Sequence, residues 1–230
     1  MVRYLTISSS TVDDEVLLKL SELSALESVR LDNVPFSVVP GNLFQSSGQG
    51  ISSLSLRRCS LGDAGSASGA VTVDPCLPLL RSFSGMKHLD LSGNPLLGTS
   101  HQMQSSLYAC LCGDPSASAA TPMDLRTLLL AGCGLQHVPA AIVHCNALQE
   151  LSLENNRIAV LPPGLRDLPN LTRLGLAGNR LTLPPAGSGS SGTGAAATEE
   201  NESPSMAVLE ALPGLRELSL HGNAMRHHGS

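Results

Sequence analysis

A short pattern of apolar residues recurs along almost the whole chain of 230 residues. In its clearest copy the apolar positions are Leu148, Leu151, Leu153 and Ile158, and Asn156 fills a polar notch near the end. Seven segments fit this template and an eighth, weaker copy opens the chain. The copies begin at Val2, Leu26, Ile51, Met86, Leu125, Leu148, Leu171 and Leu215. A repeat of this kind predicts one solenoid over residues 1–230, in which each unit packs only on its neighbours.

Within each unit, apolar and polar residues alternate with a period of two. Leu151 and Leu153 are separated and flanked by Glu150, Ser152 and Glu154, which is the pattern of a short strand with one buried face. Because stacked units run in the same direction, we expect these strands to pair in parallel into one continuous sheet.

These units resemble leucine-rich repeats, written L-x-x-L-x-L-x-x-N/C-x-L. The resemblance implies an α/β fold, a right-handed horseshoe-shaped solenoid. Its concave face is a parallel β-sheet, and its convex face carries helices, 3₁₀ or extended segments. In this family the notch holds Asn or Cys, whose side chain turns inward and bonds the backbone of the neighbouring coil. The notch residues of this chain are Cys59, Asn94, Cys133, Asn156, Asn179 and Asn223.

The spacing of the repeats divides them into two kinds. The steps from Leu125 to Leu148 and from Leu148 to Leu171 are 23 residues long and contain a Leu-Pro or Val-Pro pair. Proline at this place excludes a regular helix, so we expect extended or 3₁₀ returns. These units resemble the short LP-type repeats of intracellular scaffold proteins. The longer front units, with steps of 35 and 39 residues, resemble those of ribonuclease inhibitor.

The longer units predict convex helices over 13–23, 76–83 and 101–112. The step from Leu171 to Leu215 is 44 residues, and its surplus is the Gly-, Ser-, Ala- and Glu-rich stretch 185–205. Such a composition buries little, so we expect a disordered convex insertion. No further repeat follows Met225, so we expect either a fragment of a longer array or an uncapped C-terminal end that a partner covers.

Composition restricts the function. The net charge of −5 gives no support to nucleic-acid binding. No apolar run of 18 or more residues is present, so we expect no membrane insertion, and residues 1–15 lack an apolar segment long enough for a signal peptide. Two of the six cysteines occupy notches rather than forming a disulfide framework. These features favour a reducing, cytoplasmic setting.

The sequence contains no nucleophile–base constellation, phosphate loop or zinc-protease motif. Cys133, His137, His144 and Cys145 are the residues of a zinc site by type, but Cys133 is used as a notch. We therefore expect no enzymatic activity, no cofactor, no metal and no small-molecule substrate.

The resemblance implies that another protein binds the concave sheet. The candidate residues are Arg30, Asp32, Arg57, Arg58, His88, Asp90, Leu129, Glu150, Glu154, Arg173 and His221. Arginines cluster near the front and glutamates lie further back, which would orient a dipolar partner; alternatively, these side chains are merely solvated. The main hypothesis is a protein-interaction scaffold. The alternatives are a regulatory or sensor segment of a larger protein and an extracellular recognition or adhesion module.

Overall fold

The fold is an open stack of coils joined by one parallel sheet. The computed structural model describes residues 2–8, 23, 25–34, 50–61, 85–98, 111, 124–183 and 204–225. The eight strands of the sheet stand in chain order and pair in parallel throughout. They are β1 (Tyr4–Ser8), β2 (Ser28–Asp32), β3 (Ser53–Arg57), β4 (His88–Asp90), β5 (Thr127–Leu129), β6 (Glu150–Ser152), β7 (Arg173–Gly175) and β9 (Glu217–Ser219). The short strands β8 (Thr182–Leu183) and β10 (Ala224–Met225) form a separate parallel pair.

Leucines at the same place in each unit build the core. Leu54, Leu89, Leu128, Leu151 and Leu174 lie in register from strand to strand and are all buried. Each coil alone is too thin to shelter these side chains, so the dry interior exists only between neighbouring coils. The predicted leucine-rich-repeat solenoid with a parallel sheet is confirmed.

The notch asparagines bond the turn that follows each strand to the preceding coil. Asn156 Oδ1 accepts from the backbone N–H groups of Cys133 and Leu135, at 3.0 Å each. Its Nδ2 donates to the carbonyls of Leu130 and Leu153, at 2.9 Å each. Equivalent bonds are made by Asn94, Asn179 and Asn223.

The notch cysteines make weaker versions of the same contacts. Cys59 Sγ donates to the carbonyls of Leu31 and Arg57, at 3.5 and 3.2 Å. Cys133 Sγ donates to the carbonyl of Leu91 at 3.2 Å. Both thiols are fully buried, so each side chain links its own turn to the neighbouring coil while filling the core.

The convex side of the described units is made of short helices. The 3₁₀ helices are η1 (Pro95–Gly98), η2 (Ala140–His144) and η3 (Pro163–Asp167). The last two occupy the 23-residue units, where the 3₁₀ return is as predicted. Stacking is close here, because a Cβ on Gly134 would lie 2.3 Å from the carbonyl oxygen of Pro95. Gly134 also has a φ of +70°, so the position requires glycine on both grounds.

The predicted insertion over 185–205 ends too late. Residues 204 and 205 belong to the helix α1 (Pro204–Glu210), which packs against η3. Ser205 is buried, and its hydroxyl oxygen accepts from the Leu161 N–H at 3.2 Å. Leu209 is buried on the same helix. The prediction rested on composition alone, so it included residues 204 and 205 with the Gly- and Ser-rich stretch that precedes them.

The remaining convex predictions lie mainly outside the described residues. This applies to the helices expected over 13–23, 76–83 and 101–112 and to residues 185–203. Of these segments the structure describes Leu23, partly buried against the core, and Leu111, helical and buried. Among the described residues, no helix is long and apolar enough to cross a membrane.

Candidate functional site on the concave sheet

Side chains that point away from the core form three rows across the sheet. The rear half of the sheet consists of β5, β6, β7 and β9. One of its rows contains Thr127, Glu150, Arg173 and Glu217, which are aligned partners on successive strands. The middle row there is Leu129, Ser152, Gly175 and Ser219. The third row follows the strand ends and contains Ala131, Glu154, Ala177 and His221, linked by backbone hydrogen bonds through the next residue. The parallel register thus sets which residues of different repeats become neighbours.

In the front half of the sheet, which consists of β1 to β4, the arginines are paired with aspartates. Arg58 donates to Asp32 Oδ1 through Nε and one terminal nitrogen, at 3.1 and 2.9 Å. The guanidinium of Arg30 lies 3.9 Å from the same carboxylate. Arg57 Nε lies 3.6 Å from Asp90 Oδ2, which also accepts from the Ser55 hydroxyl at 3.3 Å. The contact of Arg58 with Asp32 joins the turn after β3 to β2, and the contacts of Asp90 join β4 to β3, whereas Arg30 and Asp32 both lie on β2.

This pairing changes the interpretation of the front. The predicted basic patch of Arg30, Arg57 and Arg58 is largely neutralised by Asp32 and Asp90, so the front presents a net charge of only +1 from these five side chains. The hydrogen bond from Arg58, with the surrounding arginines, lowers the pKa of Asp32 below its ordinary value. As partner-binding residues the five remain a prediction.

The rear half has an excess of carboxylates. Arg173 donates to Glu150, its aligned neighbour on β6, and this bond raises the pKa of the guanidinium. Glu217, on the other side of Arg173 in the same row, adds to that shift through its charge. The structure gives Glu154 and Glu217 no cationic side chain within 4.0 Å among the described residues. The four side chains therefore carry a net charge of −2.

Gly175, which has no side chain, lies among these charged residues. The carboxylate of Glu154 fills the space above it, so that a Cβ at Gly175 would lie 2.9 Å from Glu154 Oε1. Ser152 and Ser219 flank Gly175 in the same row. The result is a shallow cleft of about 360 Å³ bordered by Leu129 at one end and Leu218 at the other.

A second cleft lies in the front half and has a volume of about 280 Å³. Leu129 lines both clefts and is half-buried, so this predicted residue stands at the boundary between the two halves. His88 lines the front cleft and is exposed. His221 is exposed at the rear end of the third row, where its Nδ1 lies 3.1 Å from the Ser219 hydroxyl.

Sequence reasoning missed Leu218 as a surface residue. Its position in the repeat matches the buried Leu174, with which it is aligned, yet it is 41% exposed. The reason is its place on β9, which has a described neighbouring strand on one side only. The repeat pattern shows which face a leucine occupies, but not whether a further coil covers it.

The cysteines and histidines considered for zinc do not converge. Cys133 and Cys145 are buried, whereas His137 and His144 are exposed. Burial raises the pKa of the Cys133 thiol to about 12. No group of three or more potential metal-binding side chains occurs among the residues that the structure describes.

The fold agrees with comparisons to known proteins. Residues 124–181 match the family model described as leucine rich repeat. Two curated proteins of Arabidopsis thaliana are similar over part of the chain: Receptor like protein 27 is 33% identical over 107 residues and Receptor like protein 28 is 32% identical over 104. These stretches cover 46% and 45% of this chain, but only 12% of each relative. Residues 124–181 thus match leucine-rich repeats, and the matching stretches span only a small part of these relatives' length.

Two solved structures share the fold. TLR13 in its complex with ssRNA13 superposes with a TM-score of 0.57 at 20% identity, over 98% of this chain and 24% of that one. An internalin, inlF, from Listeria monocytogenes superposes with a TM-score of 0.50 at 15% identity, over 90% of this chain and 51% of that one.

The comparisons correct one prediction and leave another open. The predicted cytoplasmic setting is wrong, because the curated relatives are receptor-like proteins and a structural neighbour is TLR13. The expectation of no nucleic-acid partner is not confirmed, because that TLR13 structure contains ssRNA. Leucine-rich repeats generally serve protein–protein interaction, and the predicted protein-binding role agrees with the family match.

Proposed function

We propose that this chain is the recognition part of an extracellular, receptor-type protein and that it binds a partner protein on its concave sheet. The observation that carries the proposal is the rear cleft, where small residues and unpaired carboxylates face solvent on a rigid parallel sheet. A preformed surface loses little conformational entropy on binding. The receptor-like relatives support the setting.

A protein partner fits the electrostatics better than RNA does. Nucleic-acid binding gains most of its affinity from basic side chains on phosphates. The chain has a net charge of −5, and the rear cleft adds carboxylates rather than cations. The front arginines already lie against aspartates. We therefore propose a non-enzymatic protein-binding role for the whole concave face, including His88 and His221.

The mixture of repeat types belongs to the same proposal. The rear units, with the 3₁₀ helices η2 and η3, support assignment to the short LP class. The longer steps at the front support units like those of ribonuclease inhibitor. A sensor segment of a larger receptor is a compatible reading, because the relatives are much longer than this chain.

The test introduces a large side chain that would block binding of a partner to the concave face. Ser152→Arg places a long side chain beside Gly175, and Val160→Arg places the same side chain at an exposed site off the sheet, before η3. Each protein is incubated with intact cells of the source tissue, cross-linked, and analysed by quantitative mass spectrometry. We expect a defined set of surface proteins with wild type and Val160→Arg that is lost with Ser152→Arg. Equal recovery by all three would refute concave binding.

A further inference from the structure

We propose that the rear concave cleft binds a segment of the partner protein that carries a lysine or arginine side chain, seated against the Glu154 carboxylate that lies over Gly175. The inference rests on the proposed function and names the chemistry of the partner. The front half of the same sheet is assigned no such role.

Charge is the first argument. Glu150 neutralises Arg173, which leaves Glu154 and Glu217 without a cationic partner among the described residues. Two uncompensated carboxylates at the border of one concave cleft attract a cationic group and raise its local concentration. A basic side chain also gains charge-assisted hydrogen bonds to carboxylate oxygens.

Shape is the second argument. Gly175 has no side chain, and the carboxylate of Glu154 lies in the space above it, between Ser152 and Ser219. This carboxylate therefore stands in the middle row of the sheet, where a long basic side chain can reach it from solvent. Glu217 lies in the first row on the neighbouring strand β9 and adds its negative charge to the same cleft.

The borders of the cleft define the rest of the segment. Leu129 provides apolar surface at one end of the acidic centre. Interfaces commonly surround a polar contact with apolar ones that exclude water. We therefore expect an apolar residue next to the basic residue in the partner.

The front half offers a contrast within the same molecule. Asp32 already accepts from Arg58, and Asp90 lies against Arg57. A basic segment bound there would have to displace an arginine of the chain itself and would gain little. Charge alone on the sheet is thus not sufficient; the carboxylate must lack an internal partner.

The experiment is a selection of short random peptides displayed on phage against the folded chain. Four proteins are compared: wild type, Ser152→Arg, the double variant Glu154→Gln/Glu217→Gln, and Asp167→Asn. The last neutralises an exposed convex carboxylate outside the cleft. The affinity of the selected peptides is then measured at about 0.05 M and about 0.5 M NaCl.

We expect wild type and Asp167→Asn to enrich peptides with lysine or arginine next to apolar residues. Affinity for these peptides should fall about tenfold in the double variant, as for the loss of two partly exposed charge pairs. It should also weaken at high salt. Enrichment of peptides without basic residues, if Ser152→Arg still abolishes their binding, would overturn this inference and leave the proposed function standing. A selection that yields no peptide sensitive to Ser152→Arg would overturn both.

Discussion

At the scale of single residues, Asn156 shows how a repeat secures its turn. One buried amide serves four backbone groups of two neighbouring coils. Alternation of leucines decides which face of each strand is buried, whereas the notch fixes the turn that leads out of the strand. The two signals together explain why short strands stack in register.

Asn156→Ala should lower the free energy of unfolding by about 3 kcal/mol, because four buried backbone groups lose their partner. Asn170→Ala is the matched control, since the Asn170 amide donates to the Asn146 carbonyl at an exposed site. Its cost should be below about 1 kcal/mol. Urea unfolding followed by circular dichroism measures both. Equal effects of the two changes would show that the notch bonds contribute nothing special.

The notch thiols should be unreactive in the folded protein. Burial raises the pKa of Cys59 to about 11 and that of Cys133 to about 12, from an ordinary 9.0. Thiolate is the reactive form, so iodoacetamide at neutral pH should leave both unmodified until guanidinium chloride unfolds the chain. Site-resolved mass spectrometry checks this. Rapid labelling of the native protein at either residue would contradict the burial.

The same shifts predict how stability depends on pH. A thiol whose pKa is raised by folding contributes stability that is complete below pH 9.0, and this is lost as the pH rises toward 11 to 12. Urea unfolding should therefore show a decline above pH 9.0 that is smaller in Cys59→Ala/Cys133→Ala. These inert thiols also explain the failed inference about compartment, because a buried notch cysteine is protected in either redox setting.

At the scale of elements, α1 shows how a short helix closes the convex side. Ser205 accepts from Leu161, and Val208 and Leu209 of the helix are buried. The Gly- and Ser-rich composition of the residues before the helix gave no sign of where it begins.

Leu209→Ala should destabilise the chain by about 2 to 3 kcal/mol, because it leaves a cavity beneath α1. Glu210→Ala, the next and exposed residue of the helix, should change stability by less than about 0.5 kcal/mol. Thermal unfolding of both variants beside wild type provides the comparison. If Leu209→Ala were as stable as Glu210→Ala, the helix would not be docked.

At the scale of the whole molecule, the repeat pattern was enough for the fold but only partly for the site. The positions of the strands follow from leucine spacing, and the parallel order follows from stacking. The partners of individual charges do not. Asp32 is aligned with Arg57, yet it bonds Arg58, because Arg58 has a φ of +53° in the turn and its side chain reaches back across the sheet. Arg57 is thereby left to Asp90.

The sequence alone therefore could not show that the arginines and aspartates of the front half are paired, or that the rear half has an excess of carboxylates. The most direct test is carboxyl footprinting by mass spectrometry, with and without a peptide selected on the wild-type chain. The account predicts that the peptide protects Glu154 and Glu217 and leaves Asp32, Asp90 and the convex Asp167 unchanged. Protection of Asp167, or of Asp32 and Asp90 in place of the two glutamates, would contradict it.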